Sequence, residues 1–590
     1  MKIYDAIVIG SGAAAYGVAD RLFCDGITDT AVIAENRLSG TSRNTGSDKQ
    51  TYYKLSMDGF VSDSPYKMAQ DIFETGSCDG EKMYLQALNS TRCFLRLYDY
   101  GVKFPRDEFG GFPGYKTDHD NTVRATSIGP LTSKVMTEKL EEKVLCKNGT
   151  TLFDNRQVVE ILKDGKKAVG VAVLNNATNE FEVFYSKNII CATGAPACIY
   201  ENSVYPESQH GMTGILLDAG VSLCNFSQWQ YGMASVDFRW NVSGSFMQVI
   251  PRFVSIDENG NEYDFLNDCF GNADEMCNHI FLKGYQWPFS YARAEMSSKV
   301  DIAVHNEIKN GRKIYLDFTA NPKGYCFENL SEEARNYLAD NGATGETPIE
   351  RLEKLNPKAI QVYSNQNIDI SKEKLRIAVC AQHNNGGVYT DNNYETVVKN
   401  LYVIGEAAGT FGLARPGGTA LNDTQVGGFL CADHIKNKEK SEFSFEIPNG
   451  YFDKYKDFVS DSSVDYSCIR TKMSKSAAFL RNKEECIDLL SEINGILENY
   501  PLRHKTLSDY FYDKDMLVSA KALLETIIGE MSLTGSRGGA VFIKNGAIVS
   551  ENTEYRKYLT ITENGNVSFV KVKDVPKTNR PFEMYLKKSD

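Results

Sequence analysis

The chain has 590 residues, too many for one hydrophobic core, so roughly two to four domains are expected, with room to enclose a large cofactor. Lys and Arg total 65 against 77 Asp and Glu, a net charge of −12 without long like-charge blocks, which argues against nucleic acid or an anionic membrane as principal partner. No run reaches the roughly 18 to 20 uninterrupted apolar residues of a membrane span, and the chain enters a strand-like run with no room for an export signal, so a soluble, cytoplasmic protein without direct membrane insertion is expected.

Residues 3–9 (IYDAIVI) read as a buried strand, followed by Gly10-Ser11-Gly12-Ala13-Ala14-Ala15 and a helix-compatible stretch. The first glycine permits a tight turn, the second lets backbone approach a diphosphate, and the small Ala15 lets helix and strand pack closely. Helix amides supply the anion site, so no lysine or arginine is needed there. A second apolar run, residues 30–34 (TAVIA), ends at Glu35, 23 residues past Gly12, where a carboxylate can accept hydrogen bonds from an adenosine ribose. Strand, glycine turn, helix, strand and acid together specify dinucleotide binding.

Further along, residues 188–192 (NIICA) lead into Thr193-Gly194, a second glycine-marked strand end. A third follows residues 400–404 (NLYVI): Gly405-Glu406-Ala407-Ala408-Gly409, then Arg415-Pro416-Gly417-Gly418-Thr419-Ala420-Leu421 opening a helix. The first motif does not separate NAD from FAD. The last one does, because a strand-end Gly-Glu pair can hold a ribityl hydroxyl and a following helix N-terminus can face the electron-rich end of a reduced flavin. Beyond residue 464, helix-period apolar spacing gives way to a polar, strand-forming tail. The fourteen cysteines contain no C-x-x-C, so no metal or iron–sulfur site is expected, and they read as reduced small hydrophobes.

These residues resemble the fumarate reductase/succinate dehydrogenase flavoprotein subunit family, which includes L-aspartate oxidase and related soluble FAD-dependent reductases. The resemblance rests on the turn at Gly10, Ala192-Thr193-Gly194, CAQHNNGGVYTD at 380–391, LYVIGEAAGTFGLARPGGTAL at 401–421 and Ser536-Arg537-Gly538-Gly539. It implies an α/β fold: a Rossmann-type FAD-binding domain in two parts (1–236 and 366–436), an inserted α+β capping domain (237–365) and a C-terminal mainly helical domain (437–590). It also implies an FAD site formed by Gly10, Gly12, Ala13, Ala14, Ala15, Glu35, Asn36, Ser42, Arg43, Thr45, Gly46, Val158, Ala192, Thr193, Gly194, Gly405, Glu406, Gly417, Thr419, Ala420 and Leu421.

Three departures qualify what is carried over. Arg43 stands where members with covalent FAD have a histidine, so non-covalent FAD is expected. The family's proton-shuttling arginine falls on Ser297, leaving Arg293 or Lys299 as substitutes. The family's substrate-binding histidine falls on Gln382, with His383 one position on. Arg415 matches the arginine that binds a substrate carboxylate, its planar fork being suited to that group.

The expected activity is hydride transfer between flavin N5 and an activated C=C bond of a small, carboxylate-bearing substrate, with His383, Arg293 and Arg415 as catalytic residues. No haem-attachment or flavin-transfer module is present, so an external electron donor or acceptor is required. Alternatives on the same scaffold are an oxidase or dehydrogenase of an amino or hydroxy acid, or a cofactor-binding subunit without fumarate-type activity; an NAD-only dehydrogenase is a weaker one.

Overall fold

The structure is a computed structural model that describes residues 2–58, 61–117, 120, 122–438, 445–577 and 584. At its centre lies a parallel sheet of five strands in the order Leu401–Val403, Ile189–Cys191, Ala6–Ile9, Thr30–Ile33 and Thr150–Phe153. The first four are buried along their whole length. Such strands read as unbroken apolar runs because a parallel sheet is covered on both faces.

Two helices, Ala13–Cys24 and Thr419–Asn437, pack against each other beside this sheet and approach closely at two glycines. A Cβ on Gly428 would lie 3.2 Å from the Val18 backbone, and one on Gly17 would meet the Gln425 side chain at 2.9 Å. That side chain donates to the Ala13 carbonyl at 3.0 Å, which ties the N-terminal helix to a segment some 400 residues later.

A second sheet joins Ile3–Tyr4, Glu180–Ser186, Lys167–Asn175 and Arg156–Asp164. A third is antiparallel and six-stranded, in the order Trp240–Asn241, Trp229–Ser235, Leu375–Asn384, Lys313–Asp317, Arg252–Ile256 and Glu262–Tyr263. Its strands Trp229–Ser235 and Leu375–Asn384 flank the 237–365 segment in sequence and belong to the same sheet as that segment's own strands. The chain is thus a mixed α/β molecule of several sheets.

The C-terminal part carries helices Ser467–Ser476, Lys483–Glu498 and Leu507–Thr534. A hairpin, Tyr558–Glu563 with Asn566–Lys571, follows and pairs with Leu223–Cys224, so the polar tail closes back onto the body of the protein. Among the described residues no helix is long and apolar enough to cross a membrane. The cysteines form no disulfide, and most are buried, as small apolar side chains would be.

A buried ion pair holds the tail in place. Arg537 donates to Glu530 at 2.7 Å and to the Thr560 hydroxyl at 2.9 Å, and Glu530 also accepts from the Ser227 hydroxyl at 2.5 Å. Next to it, the Gly538 carbonyl accepts the Tyr291 N–H at 2.9 Å, which fixes the turn Tyr291–Arg293. Removing one member leaves the other as an uncompensated buried charge. Arg537→Met should therefore destabilise the protein by about 3–5 kcal/mol, and the double variant Arg537→Met/Glu530→Leu should regain part of that. Urea denaturation midpoints of the three proteins measure it.

Candidate active site

The strands of the central sheet are in register at their carboxyl ends: Cys191 pairs with Ile9 on one side and Val403 on the other, and Ile9 pairs with Ile33. The residues that follow therefore emerge together, and one cleft opens across them. Gly10, Gly12, Ala13 and Ala14 line it, with Glu35, Ser42, Thr45, Gly46, Val158, Ala192, Thr193, Gly194, Glu406, Gly417, Ala420, Leu421, His383 and Arg415.

Gly10 has φ +122°, and a Cβ there would sit 2.5 Å from the Ala192 carbonyl oxygen, so only glycine lets these two strand ends meet. The helix that starts after Gly12 has no side-chain cap at its N-terminus and no acidic residue in its first turn. Its first amide, on Ala13, reaches the Ser42 hydroxyl at 3.2 Å. An N-terminus of this kind is suited to a diphosphate. Thr193 lines the cleft, and its hydroxyl is enclosed and without a hydrogen-bond partner among protein atoms, a polar group left for a ligand to satisfy. The residues present therefore fit an FAD molecule: backbone amides for the diphosphate, Glu35 for the ribose and Glu406 for the ribityl chain.

Some expected residues do not line the cleft. Ala15, Gly405 and Thr419 stand behind its wall: a Cβ on Gly405 would meet Ala14 at 3.0 Å, and Thr419 bonds the Pro416 carbonyl at 2.8 Å. Asn36 spends its side chain on the Leu38 amide at 2.8 Å. Arg43 turns to the neighbouring helix Thr132–Leu145, where it pairs with Glu141 at 2.7 Å and Glu138 at 3.5 Å. Arg293 lines an adjoining cavity rather than the cleft itself. Ser297 is buried and donates to Gln286 at 2.7 Å, while Lys299 lies over the Phe270 ring, 5.1 Å from its centroid.

The strand Leu375–Asn384 explains how Gln382 and His383 relate. Its pairing with Trp229–Ser235 shifts register between Gln230, opposite His383, and Tyr231, opposite Ala381, so Gln382 is the extra residue of a bulge. In a regular strand neighbours point to opposite faces, but the bulge lets both side chains line the cleft. Gln382 is held by the Met233 carbonyl at 3.1 Å and by Asn241 at 2.7 Å. His383 bonds Asn385 through Nδ1 at 3.0 Å, with Nε2 3.9 Å from Glu406.

Burial, reinforced by the positive charge of Arg415, holds the His383 pKa well below its ordinary value, so the ring is neutral at physiological pH. Glu406 accepts the Asn384 amide at 2.9 Å and the hydroxyl of Tyr205. Its enclosure pushes its carboxyl up to about 7, against the pull of those hydrogen bonds and of Arg415. Glu35 is likewise raised by burial, with Tyr512 of the helix Leu507–Thr534 beside it. Tyr512 stacks on His210 at 3.9 Å between ring centroids. Tyr205, Gln209 and Tyr512 were not singled out from sequence. Gln209 bonds the Thr193 carbonyl at 2.7 Å and the Thr41 hydroxyl at 2.6 Å, yet it lies in a loop with no pattern to mark it.

The raised Glu406 pKa has a definite sign. A carboxyl with a folded value near 7 and an ordinary value of 4.5 contributes stability that is present below the ordinary value and lost as pH rises through the folded one. The cofactor-free protein should thus lose this contribution between about pH 4.5 and 7, and Glu406→Gln should flatten that slope. His383, shifted downward, acts in the opposite sense, losing its contribution as pH falls. Denaturation midpoints of both proteins across this range give the comparison.

Comparison with known proteins agrees with this geometry. Residues 5–421 match the family model described as an FAD binding domain. A fumarate reductase (CoM/CoB) subunit of Methanothermobacter marburgensis is 24% identical over 516 residues, covering 84% of this chain and 85% of the relative. L-aspartate oxidase of Yersinia pestis is 21% identical over 490 residues, 79% of each chain. In three dimensions a quinol-fumarate reductase with menaquinol molecules aligns with TM-score 0.75 at 17% identity, over 98% of this chain and 100% of the other, a likeness of fold. The chain belongs to the FAD-binding family of the fumarate reductase/succinate dehydrogenase and L-aspartate oxidase flavoproteins, and is an FAD-dependent oxidoreductase.

Proposed function

We propose that the chain reduces an activated C=C bond of a small, carboxylate-bearing substrate, with FAD held non-covalently in the cleft and electrons drawn from an external donor. In this reading residues 1–236 and 366–436 form the FAD-binding part, 237–365 cap it, and 437–590 form a mainly helical C-terminal part. The observation that carries it is the meeting of Arg415 and His383 with the three glycine-marked strand ends around one cleft, beside a second cavity that shares its walls.

When bound, FAD supplies a hydride at N5. The residues do the rest. The amides of the helix start at Gly12 and Ala13 would hold the diphosphate, Glu35 the ribose, Glu406 the ribityl hydroxyls, and Thr193 and Gly194 would lie against the cofactor between them. Arg415 is buried, its Nη1 lies 3.4 Å from both the Pro416 carbonyl and the Thr419 hydroxyl, and a planar fork tethered in this way is suited to a carboxylate. His383, kept neutral, orients the substrate by hydrogen bonding rather than as a cation. Arg293, in the adjoining cavity, is assigned the second proton. Because Arg43 is engaged by Glu141 and is not a histidine, no side chain at that position can attach to the flavin.

Two outcomes test this. Dithionite-reduced holoenzyme mixed anaerobically with unsaturated carboxylates should regain its flavin absorbance, and Arg415→Ala should slow that recovery roughly a hundredfold or more while keeping FAD bound, in line with the ~2–5 kcal/mol of a truncated buried charge contact. Acid precipitation should release the flavin into the supernatant. A yellow pellet, or full-rate recovery in the Arg415 variant, would count against the respective assignment.

A further inference from the structure

Next to the cofactor cleft lies a larger cavity of about 870 Å³. The two share Ser47, Thr51, Ser243, Trp287 and Gly417, so they adjoin along a common wall. Its volume lies in the upper part of the ~300–1,000 Å³ range of pockets that enclose drug-sized ligands, far more than a four-carbon dicarboxylate needs.

The lining is specific in character. Tyr115, Phe281, Tyr285, Trp287 and Tyr337 supply aromatic walls. The acids that also face the cavity are committed to protein partners. Asp48 accepts the Ser245 amide at 2.8 Å and its hydroxyl at 3.0 Å, while Asp71 and Asp120 pair with the buried Arg124 at 2.7 and 3.3 Å. Glu333 accepts the Tyr285 hydroxyl, and Glu74 accepts Gln70 at 3.1 Å. Three bases line the same space: Lys49, whose ammonium lies 5.5 Å from the Tyr115 ring centroid, Lys116 and Arg293. The chamber therefore favours a flat, polarisable body against its rings, with the anionic group of such a molecule left to Arg415 in the neighbouring cleft.

The position of Trp287 is itself built. The buried Lys283 ammonium bonds the Gln286 and Trp287 carbonyls at 3.1 and 2.9 Å and pairs with the buried Asp301 at 2.8 Å. A buried ion pair is thus spent on holding the loop that divides the two cavities.

We propose that the substrate class is a ring-bearing conjugated enoate, a 3-arylacrylate in chemical type, with its carboxylate on Arg415 and its ring in the aromatic chamber. This rests on the reductase reading above. In the reaction the π bond of the substrate breaks and two C–H bonds form: a hydride arrives at the carbon β to the carboxylate, and a proton from a side chain facing the chamber arrives at the α carbon. The substrate gains two electrons and becomes the saturated acid. An external two-electron donor, dithionite in vitro, restores the reduced cofactor.

The test uses dithionite-reduced holoenzyme under anaerobic conditions, with cinnamate as the arylacrylate and crotonate and fumarate as small enoates, following flavin reoxidation. The expected result is a kcat/KM for cinnamate at least about tenfold above that for crotonate, a ratio that Trp287→Leu lowers about tenfold, as loss of a stacking partner predicts. Where that variant fails to retain flavin, Tyr285→Leu, which lines the chamber but not the cleft, gives the same reading. Reoxidation by small enoates alone overturns the arylacrylate assignment and leaves the reductase reading standing. Reoxidation by no enoate overturns both. A cinnamate preference unchanged in the chamber variants also overturns the assignment, because the ring then lies elsewhere.

Discussion

The register of one parallel sheet is the constraint on which the site depends. Ile9, Ile33, Cys191 and Val403 stand side by side, although the chain travels almost 400 residues between the first and the last. Their successors, Gly10, Ala34, Ala192 and Ile404, then share one edge, which is where open α/β sheets place their ligands. A slip of one residue in any pair would turn a glycine turn away from the cleft and replace it with a side chain. The helix pair locked through Gly17, Gln425, Val18 and Gly428 holds that register against the far end of the chain.

Charge in the cleft is arranged by enclosure more than by number. The wall beside the first helix offers backbone amides and small side chains, an arrangement suited to a diphosphate through dipoles rather than basic side chains. At the other end, burial and the positive charge of Arg415 together keep the His383 imidazole neutral, whereas burial raises the Glu406 carboxyl to about 7 against the pull of Arg415. Arg415 is thus the principal fixed charge there, which makes it the natural anchor for an anion. The C-terminal helix reaches the opposite end with Phe511, Tyr512 and Asp515, so the cleft is completed by residues outside the 5–421 match.

Much of this was legible in the sequence. The glycine turn at Gly10, the acid at Glu35 and the Gly405-Glu406 strand end are local patterns whose spacing follows from strand and helix geometry, and the dinucleotide cofactor could be read from them, while the family came from resemblance over the longer blocks at 380–391 and 401–421. Side-chain direction was less legible. Arg43 and Asn36 sit in the right loop but spend their bonds on Glu141 and Leu38. Gln382 and His383 compete for one position in the linear pattern, whereas a bulge lets both face the cleft.

The sequence by itself determined that strand ends marked by glycine would bind a dinucleotide, because backbone conformation and close approach are properties of the residue and its immediate neighbours. Only the tertiary structure decided which distant side chains complete the site: Tyr205 on Glu406, Tyr512 beside Glu35, and the aromatic chamber beyond Trp287. Those pairings arise from packing between segments hundreds of residues apart, and no local periodicity encodes them.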